Sequence, residues 1–204
     1  MSPETHLLAS WLVAAKTTDN PRDCRLVKLG GILPDADGLG LLADTFNSFF
    51  RHKQTFYYGE YHHYYLHGAL GAVLISTVLA CFARRRCRVV LLALIVFHLH
   101  LLCDLLGSRG PSPADLWPIY YFGPFSSRHA VWLWQGQWRL DGWLNRIITV
   151  GLFLWALWLA SKRDDSVVGV FNRRLDHTFV RVLRQWRRAL VDKNHASSRK
   201  AVGS

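Results

Sequence analysis

The chain has 204 residues, half of them hydrophobic, and a formal net charge of +11. Because its mean hydropathy is only +0.08, the apolar residues must be concentrated in segments. The length predicts one compact domain with a tail, and the four cysteines form no CxxC pair, which argues against a zinc ribbon or a disulfide framework.

The first 33 residues predict two short helices joined by a polar turn. The first covers Thr5–Lys16, with Thr5 as its N-cap, and the second covers Asp23–Leu33. If the two pack antiparallel, His6 and Asp35 lie at the same end of the pair. The stretch from Asp35 to Tyr61 is rich in aromatic and small residues and predicts a mixed connection.

Two long apolar segments follow, Leu66–Ala83 and Val89–Leu106, each of 18 residues. As helices they would span roughly 27 Å, about the thickness of a bilayer core. Four arginines lie between them in Arg84–Arg88, which we call the arginine loop. His67 opens the first segment, and His100 and Asp104 close the second, so these three side chains share the end opposite the arginine loop.

A third apolar run, Trp143–Ala160, follows a loop rich in Gly, Pro, Trp and Tyr. Most of the nine tryptophans lie in that loop or near segment ends, as interfacial aromatics do. We therefore predict an all-α helical membrane bundle of two helical hairpins, a third long membrane span and a basic amphipathic C-terminal helix. A soluble bundle with buried apolar helices is the alternative. The predicted organisation is a metal-binding membrane domain at 1–142, an additional transmembrane helix at 143–161 and a basic tail at 162–204.

The tail carries eleven Lys/Arg residues against four Asp/Glu residues. From Val168 to Leu190 its apolar residues recur at helical spacing on one face, and its arginines lie largely off that face. A basic amphipathic helix after a membrane span is typical of a helix that lies on an anionic leaflet. A partner-binding or nucleic-acid-binding surface is the alternative interpretation.

Charge also predicts the orientation. The positive-inside rule places the arginine loop and the basic tail in the cytoplasm, so the His/Asp end faces the opposite side of the membrane. The run Arg51-His52-Lys53 is the one feature that opposes this orientation. We expect an integral protein of a bacterial inner membrane.

If the two helical pairs pack with these ends together, one end of the bundle presents five candidate metal ligands, His6, Asp35, His67, His100 and Asp104. His100 and Asp104 are spaced i,i+4 and point from one helical face, and His63 and His67 repeat that spacing, while His62 lies five residues before His67. Ionisable groups in apolar runs are costly and indicate function. Imidazole with carboxylate suits a divalent ion such as zinc, with manganese or iron as alternatives.

Three residues have both a structural and a chemical interpretation. Asp35 and Asp37 suit a turn after Pro34, and Asp37 is also a candidate general base if the ion does not consume it. Arg109, five residues after Asp104, is a candidate for binding an anionic group such as phosphate, or an interfacial anchor.

The order of these motifs resembles the predicted membrane-bound metal-dependent hydrolases, the YdjM-like family. The resemblance covers about residues 5–125 and rests on the following segments: Thr5-His6-Leu7-Leu8, Leu33-Pro34-Asp35-Ala36-Asp37, His62-x4-His67, and His100-Leu-Leu-Cys-Asp104 with Gly107, Gly110 and Trp117-Pro118 after it. The family's pair typically reads His-Arg-Gly-x-x-His, which implies His62 and His67 as ligands. This chain has His63-Tyr64 in place of Arg-Gly and Gly38 where the family often has a further His.

The resemblance implies a membrane-bound metal-dependent hydrolase with a His/Asp architecture similar to zinc-dependent phospholipase C. A phosphoester or lipid-like substrate and contact with membrane lipid fit a site at the membrane surface, and a nucleic-acid partner does not. The alternatives are a membrane metal-binding or scaffold protein without hydrolytic activity. Ion transport would need a polar path, and Leu70–Ala83 offers only Ser76 and Thr77.

Overall fold

The computed structural model is mostly helical and describes residues 1–62, 64–126 and 131–202, with side chains described up to residue 192. The described residues form two compact units, Met1–Val150 and Gly151–Ser204. Their α-helices are α1 Pro3–Thr17, α2 Pro21–Gly30, α3 Gly40–Arg51, α4 Tyr57–Tyr61, α5 Ala69–Cys81, α6 Arg86–Gly107, α7 Trp143–Ala160 and α8 Arg173–Val202. Two 3₁₀-helices cover Leu33–Leu39 and Val167–Val170, and β1 Ile119–Tyr120 pairs antiparallel with β2 Val131–Trp132.

The starts of α1 and α2 follow from local chemistry. Proline stands at the first helical position of both helices, where its missing N–H costs nothing. The Asn20 side chain caps α2 by accepting hydrogen bonds from two backbone N–H groups. The predicted N-cap, Thr5, is wrong, because α1 begins two residues earlier at Pro3 and Thr5 is buried.

Helix α6 is the centre of the first unit, and α1, α2 and α5 all pack on it. The core consists of buried apolar side chains from these helices, among them Val27, Ala72, Val89, Phe97 and Leu101. α2 ends at Gly30 rather than at Leu33, because the chain tightens into the 3₁₀-helix that begins at Leu33.

The α1–α2 pair and the α5–α6 pair meet at the arginine loop. The buried carboxylate of Asp23 accepts hydrogen bonds from the backbone N–H groups of Arg84 at 2.8 Å and Arg85 at 3.1 Å. The guanidinium of Arg88 donates to the carbonyl of Thr17. These contacts join the end of α5 and the start of α6 to the α1–α2 turn.

Two of the described helices, α6 and α7, are long and apolar enough to cross a membrane. α7 has the predicted bounds, and α6 contains the predicted Val89–Leu106. The predicted helix over Leu66–Ala83 is wrong in length, because α5 has 13 residues and spans about 20 Å. The helix begins no earlier because the backbone at Gly68 is extended and the N–H of Ala69 donates to the carbonyl of Tyr121 at 2.7 Å rather than to a preceding helical turn.

The stretch predicted as a mixed connection contains two helices, α3 and α4. The Asp44 carboxylate of α3 accepts hydrogen bonds from the backbone N–H groups of Tyr57 and Tyr58, at 2.9 and 2.8 Å, and from the Thr55 hydroxyl at 2.7 Å. Asp44 therefore fixes the start of α4 against α3. No residue of α3 is buried.

In the second unit, the predicted basic amphipathic helix, whose apolar periodicity begins at Val168, starts later than expected. Residues 167–170 form a 3₁₀-helix, and α8 starts at Arg173. The buried Asp176 carboxylate accepts hydrogen bonds from both the backbone N–H and the hydroxyl of Ser166. The large apolar side chains of Leu175, Trp186 and Leu190 are exposed on α8.

Candidate metal centre

The His and Asp side chains lie at the end of the first unit that is opposite the arginine loop. His6 is on the first turns of α1, and His100 and Asp104 are on the last turns of α6. The 3₁₀-helix after α2 carries Asp35 and Asp37, and His67 lies two residues before α5.

His6, Asp35, His100 and Asp104 form one group, in which one ligand atom from each residue lies within 4.8 Å of the others. The Nε2 atom of His100 is 3.0 Å from Asp104 Oδ2 and 3.6 Å from Asp35 Oδ1. The Nε2 atom of His6 is 3.1 Å from Asp104 Oδ1. Two imidazoles and two carboxylates at these distances could hold a metal ion.

Asp37, His62 and His67 form a second group of the same compactness. The two oxygens of Asp37 lie 2.8 Å from His62 Nδ1 and 2.9 Å from His67 Nδ1. His67 also reaches the first group, because its Nε2 lies 3.1 Å from His100 Nε2 and 3.6 Å from Asp104 Oδ2. The two groups are therefore one continuous cluster, which we call the His/Asp centre.

Hydrogen bonds at Nδ1 orient two of the imidazoles. His100 Nδ1 lies 2.9 Å from the carbonyl oxygen of Gly31, and His67 Nδ1 faces Asp37. If each Nδ1 donates to its oxygen, both Nε2 atoms present a lone pair to the same point. Two lone pairs 3.1 Å apart repel each other unless a proton or a cation lies between them. This arrangement fits a cation.

Polar atoms without a protein partner also fit a metal. Among the described residues, His6 Nδ1 and Asp35 Oδ2 are buried and have no hydrogen-bond partner. Leaving a buried polar atom unpaired costs roughly 1–3 kcal/mol. In contrast, the carboxylate of Asp104 has protein partners. The amino group of Met1 contacts it and lies 2.8 Å from the Ser108 hydroxyl.

The electrostatics of Asp37 follow from its two histidines. Burial raises the pKa of this carboxyl, but the hydrogen bonds of His62 and His67 outweigh burial and hold the pKa well below its usual range. Asp37 is therefore an anion at neutral pH. Both of its oxygens are engaged by a histidine, and Oδ2 also accepts a hydrogen bond from the backbone N–H of Leu66 at 3.3 Å.

The structure places the remaining candidates differently. His62 is hydrogen-bonded to Asp37, and its ring stacks on Tyr58 with 4.6 Å between the ring centroids. His63 lies outside the described residues. Arg109 belongs to neither group, and its Nε is buried without a hydrogen-bond partner among the described residues. His98 lies outside the centre and is hydrogen-bonded to the Leu94 carbonyl and the Tyr121 hydroxyl.

Two residues at the centre were not found from the sequence. The Ser108 hydroxyl donates to Asp104 Oδ1 at 3.1 Å, and its position four residues after Asp104 was an available signal. Gly31 supplies the carbonyl that orients His100, and a Cβ there would lie 2.4 Å from Ser10 Cβ. The Gly30-Gly31 pair was a signal of close backbone approach.

A cavity of about 420 Å³ opens beside the His/Asp centre. The polar residues that line it include Asp35, Asp104, Ser108 and His62. The apolar and aromatic residues of the lining include Leu39, Leu41, Leu42, Tyr58, Trp117 and Leu140. A volume in this range is typical of small-molecule sites, so a ligand could reach the carboxylates of the centre.

Comparison with known proteins assigns the chain to a family. No curated protein and no solved structure matches the chain. The family model described as YdjM inner membrane protein matches residues 1–171, which include every residue of the His/Asp centre. The chain belongs to the YdjM inner membrane protein family.

Proposed function

We propose that this chain is a membrane-bound metal-dependent hydrolase that acts on a phosphoester or lipid-like ester at the membrane surface. The observation that supports this proposal is the convergence of His6, Asp35, His67, His100 and Asp104 beside an open cavity. Unrelated structural roles would not bring five such groups from four separate segments to one point. Zinc fits three imidazoles with two carboxylates, and manganese or iron are the alternatives.

A divalent ion held by these residues would supply Lewis acidity, which polarises an ester and acidifies water. In this proposal Asp37 positions the imidazoles of His62 and His67, because both of its oxygens are already engaged. A general-base role for Asp37 would require it to release one of these histidines. Asp35 lines the cavity, so it is better placed to accept a proton. Arg109 remains a candidate for binding an anionic group only if its side chain turns into the cavity.

The membrane arrangement belongs to the same proposal. α6 and α7 cross the bilayer, the α1–α2 and α5–α6 hairpins form the bundle, and the arginine loop and the basic tail lie in the cytoplasm. The His/Asp centre then lies near the opposite membrane surface, at the C-terminal end of α6. Substrate would reach the centre from that surface.

The test uses the detergent-purified full chain. Metal content is measured by mass spectrometry, and hydrolysis of bis(p-nitrophenyl) phosphate and of phosphatidylglycerol is measured before and after chelation and after return of zinc, manganese or iron. We expect His100→Ala and Asp104→Ala to lose both the metal and the hydrolysis. His98→Ala is the matched control on the same helix and should retain both, because His98 bonds Leu94 and Tyr121 instead.

The outcomes separate the two candidate functions. Metal that is lost from the variants, with no hydrolysis by the native chain, would indicate a metal-binding protein without hydrolytic activity. Full metal occupancy in folded His100→Ala protein would contradict the metal centre itself.

A further inference from the structure

Helix α3 has its polar face toward the protein and its apolar face exposed. The side chains of Asp44 and Asn47 are hydrogen-bonded to the hydroxyl of Thr55, two residues before α4. In contrast, Phe49 is 77% exposed and Phe50 is 73% exposed. Leu41, Leu42 and Phe46 are exposed as well, and all five lie within one half of the helix circumference. Water is a poor environment for such a surface, which therefore needs an occupant.

The features around α3 indicate that the occupant is lipid. The unit that contains α3 also contains α6, a helix of membrane-spanning length whose C-terminal end carries His100 and Asp104. Since the 3₁₀-helix with Asp35 leads directly into α3, the start of α3 belongs to the same end of the unit as the His/Asp centre, and Leu41 and Leu42 share a cavity with Asp35. The run Arg51-His52-Lys53 at the end of α3 supplies positive charge beside the apolar face, which suits anionic headgroups.

The same segment forms one wall of the cavity. Leu39, Leu41 and Leu42 line it, and each of them is more than half exposed, so the apolar lining of the cavity continues into the exposed apolar surface of α3. The carboxylates of Asp35 and Asp104 line the same cavity. The cavity therefore brings the metal-fitting carboxylates and the apolar side chains at the start of α3 into one space.

We propose that α3 lies in one leaflet of the bilayer and opens the cavity to its hydrocarbon, so that the cavity takes an acyl chain of a lipid whose polar head lies at the His/Asp centre. The position of the head rests on the proposed function, whereas the acyl-chain site rests on the apolar wall alone. This assigns lipids, rather than water-soluble esters, as the substrate class. It also explains why the apolar face of α3 points away from the protein.

The test is photolabelling of the full chain in phospholipid nanodiscs. The probe is phosphatidylglycerol with a diazirine either at the end of one palmitoyl chain or next to its carboxyl group, and adducts are located by mass spectrometry. We expect the chain-end probe to label 41–50, and the carboxyl-proximal probe to label the inner wall at Tyr58 and Trp117. Leu42→Asn should reduce the inner-wall labelling several-fold, whereas Leu42→Met should preserve it, because the wall needs an apolar side chain rather than leucine itself.

Ser48→Ala is the control on the same helix and should leave labelling unchanged, since this exposed serine does not line the cavity. Labelling of α6 and α7 shows that the probe is active. The proposal is wrong if α6 and α7 are labelled while α3 and the cavity wall are not, or if α3 forms cross-links between two copies of the chain in place of lipid adducts. Chelated protein and His100→Ala should be labelled at the same positions. Absence of hydrolysis by the metal-loaded native chain, with labelling at these positions, would therefore contradict the proposed function and not the lipid site.

Discussion

At the scale of single residues, the His/Asp centre depends on groups that orient other groups. The sequence predicted Asp37 as a general base, but the structure places its carboxylate between two imidazoles, 2.8 Å from His62 and 2.9 Å from His67. An imidazole whose Nδ1 donates to a carboxylate keeps its Nε2 free as a ligand and becomes a stronger base. Asp37 is thus placed to hold His67, a proposed ligand, in position.

We expect Asp37→Asn to weaken metal binding by about 10- to 100-fold without unfolding the chain, because an amide is a poorer acceptor than a carboxylate and orients His67 less well. Competition with a chelator of known affinity measures the change. Asp44→Asn is the matched control, since that carboxylate also accepts several hydrogen bonds but lies outside the His/Asp centre. Equal metal affinity in the Asp37 and Asp44 variants would contradict the orienting role.

At the scale of the elements, α6 carries the centre at one end, and the Asp23 carboxylate of α2 binds the turn that precedes its other end. Asp23 of α2 accepts the backbone N–H groups of Arg84 and Arg85, which would otherwise be left without partners at the turn between α5 and α6. The position of the arginine loop against α1 and α2 therefore depends on a residue some 60 positions earlier in the chain.

Asp23→Ala should lower the free energy of unfolding by roughly 1–3 kcal/mol, the usual cost of leaving a buried polar group without its partner. Unfolding in mixed micelles, followed by tryptophan fluorescence, measures it. Asp19→Ala, four residues earlier and exposed, should have a much smaller effect. Equal effects at the two positions would show that the Asp23 hydrogen bonds do not stabilise the fold.

The basic C-terminal region belongs to a different compact unit from the residues of the His/Asp centre, all of which lie within Met1–Val150. We therefore expect a chain without Val167–Ser204 to retain its metal, as measured by mass spectrometry on purified protein. A truncated protein that remains folded and monodisperse but contains no metal would show that the functional region extends into the tail.

At the scale of the whole molecule, the orientation in the membrane decides which compartment supplies the substrate. Length and apolar composition make α6 and α7 candidate spans, but both properties are the same in either orientation. Charge distinguishes the two orientations, because a loop with four arginines favours the cytoplasmic side of the membrane.

We expect a cysteine introduced as Ala114→Cys, in a chain with Cys81 and Cys103 replaced by alanine, to react with a membrane-impermeant maleimide in intact cells. The native Cys87 of the arginine loop is exposed and should react only after lysis. The reverse pattern would place the His/Asp centre in the cytoplasm and would contradict the proposed orientation. Equal labelling of both sites in intact cells would contradict the spanning role of α6.

The sequence by itself determined the features that depend on neighbouring residues. An unbroken apolar run predicts a helix, so α7 and the body of α6 were predicted correctly, and the i,i+4 spacing of His100 and Asp104 places both on one face. The order of the His and Asp motifs was also enough to recognise the family, which the family model confirms.

Only the tertiary structure decided the features that depend on distant parts of the chain. Asp37 contacts His67 across 30 positions, and the Gly31 carbonyl contacts His100 across 69. No local pattern contains such contacts, because they follow from how α2 and α5 pack on α6. The outward apolar face of α3 was missed for a related reason. Periodicity shows that a face is apolar, but lipid and a protein core both favour such a face, so only the packed structure shows which way it points.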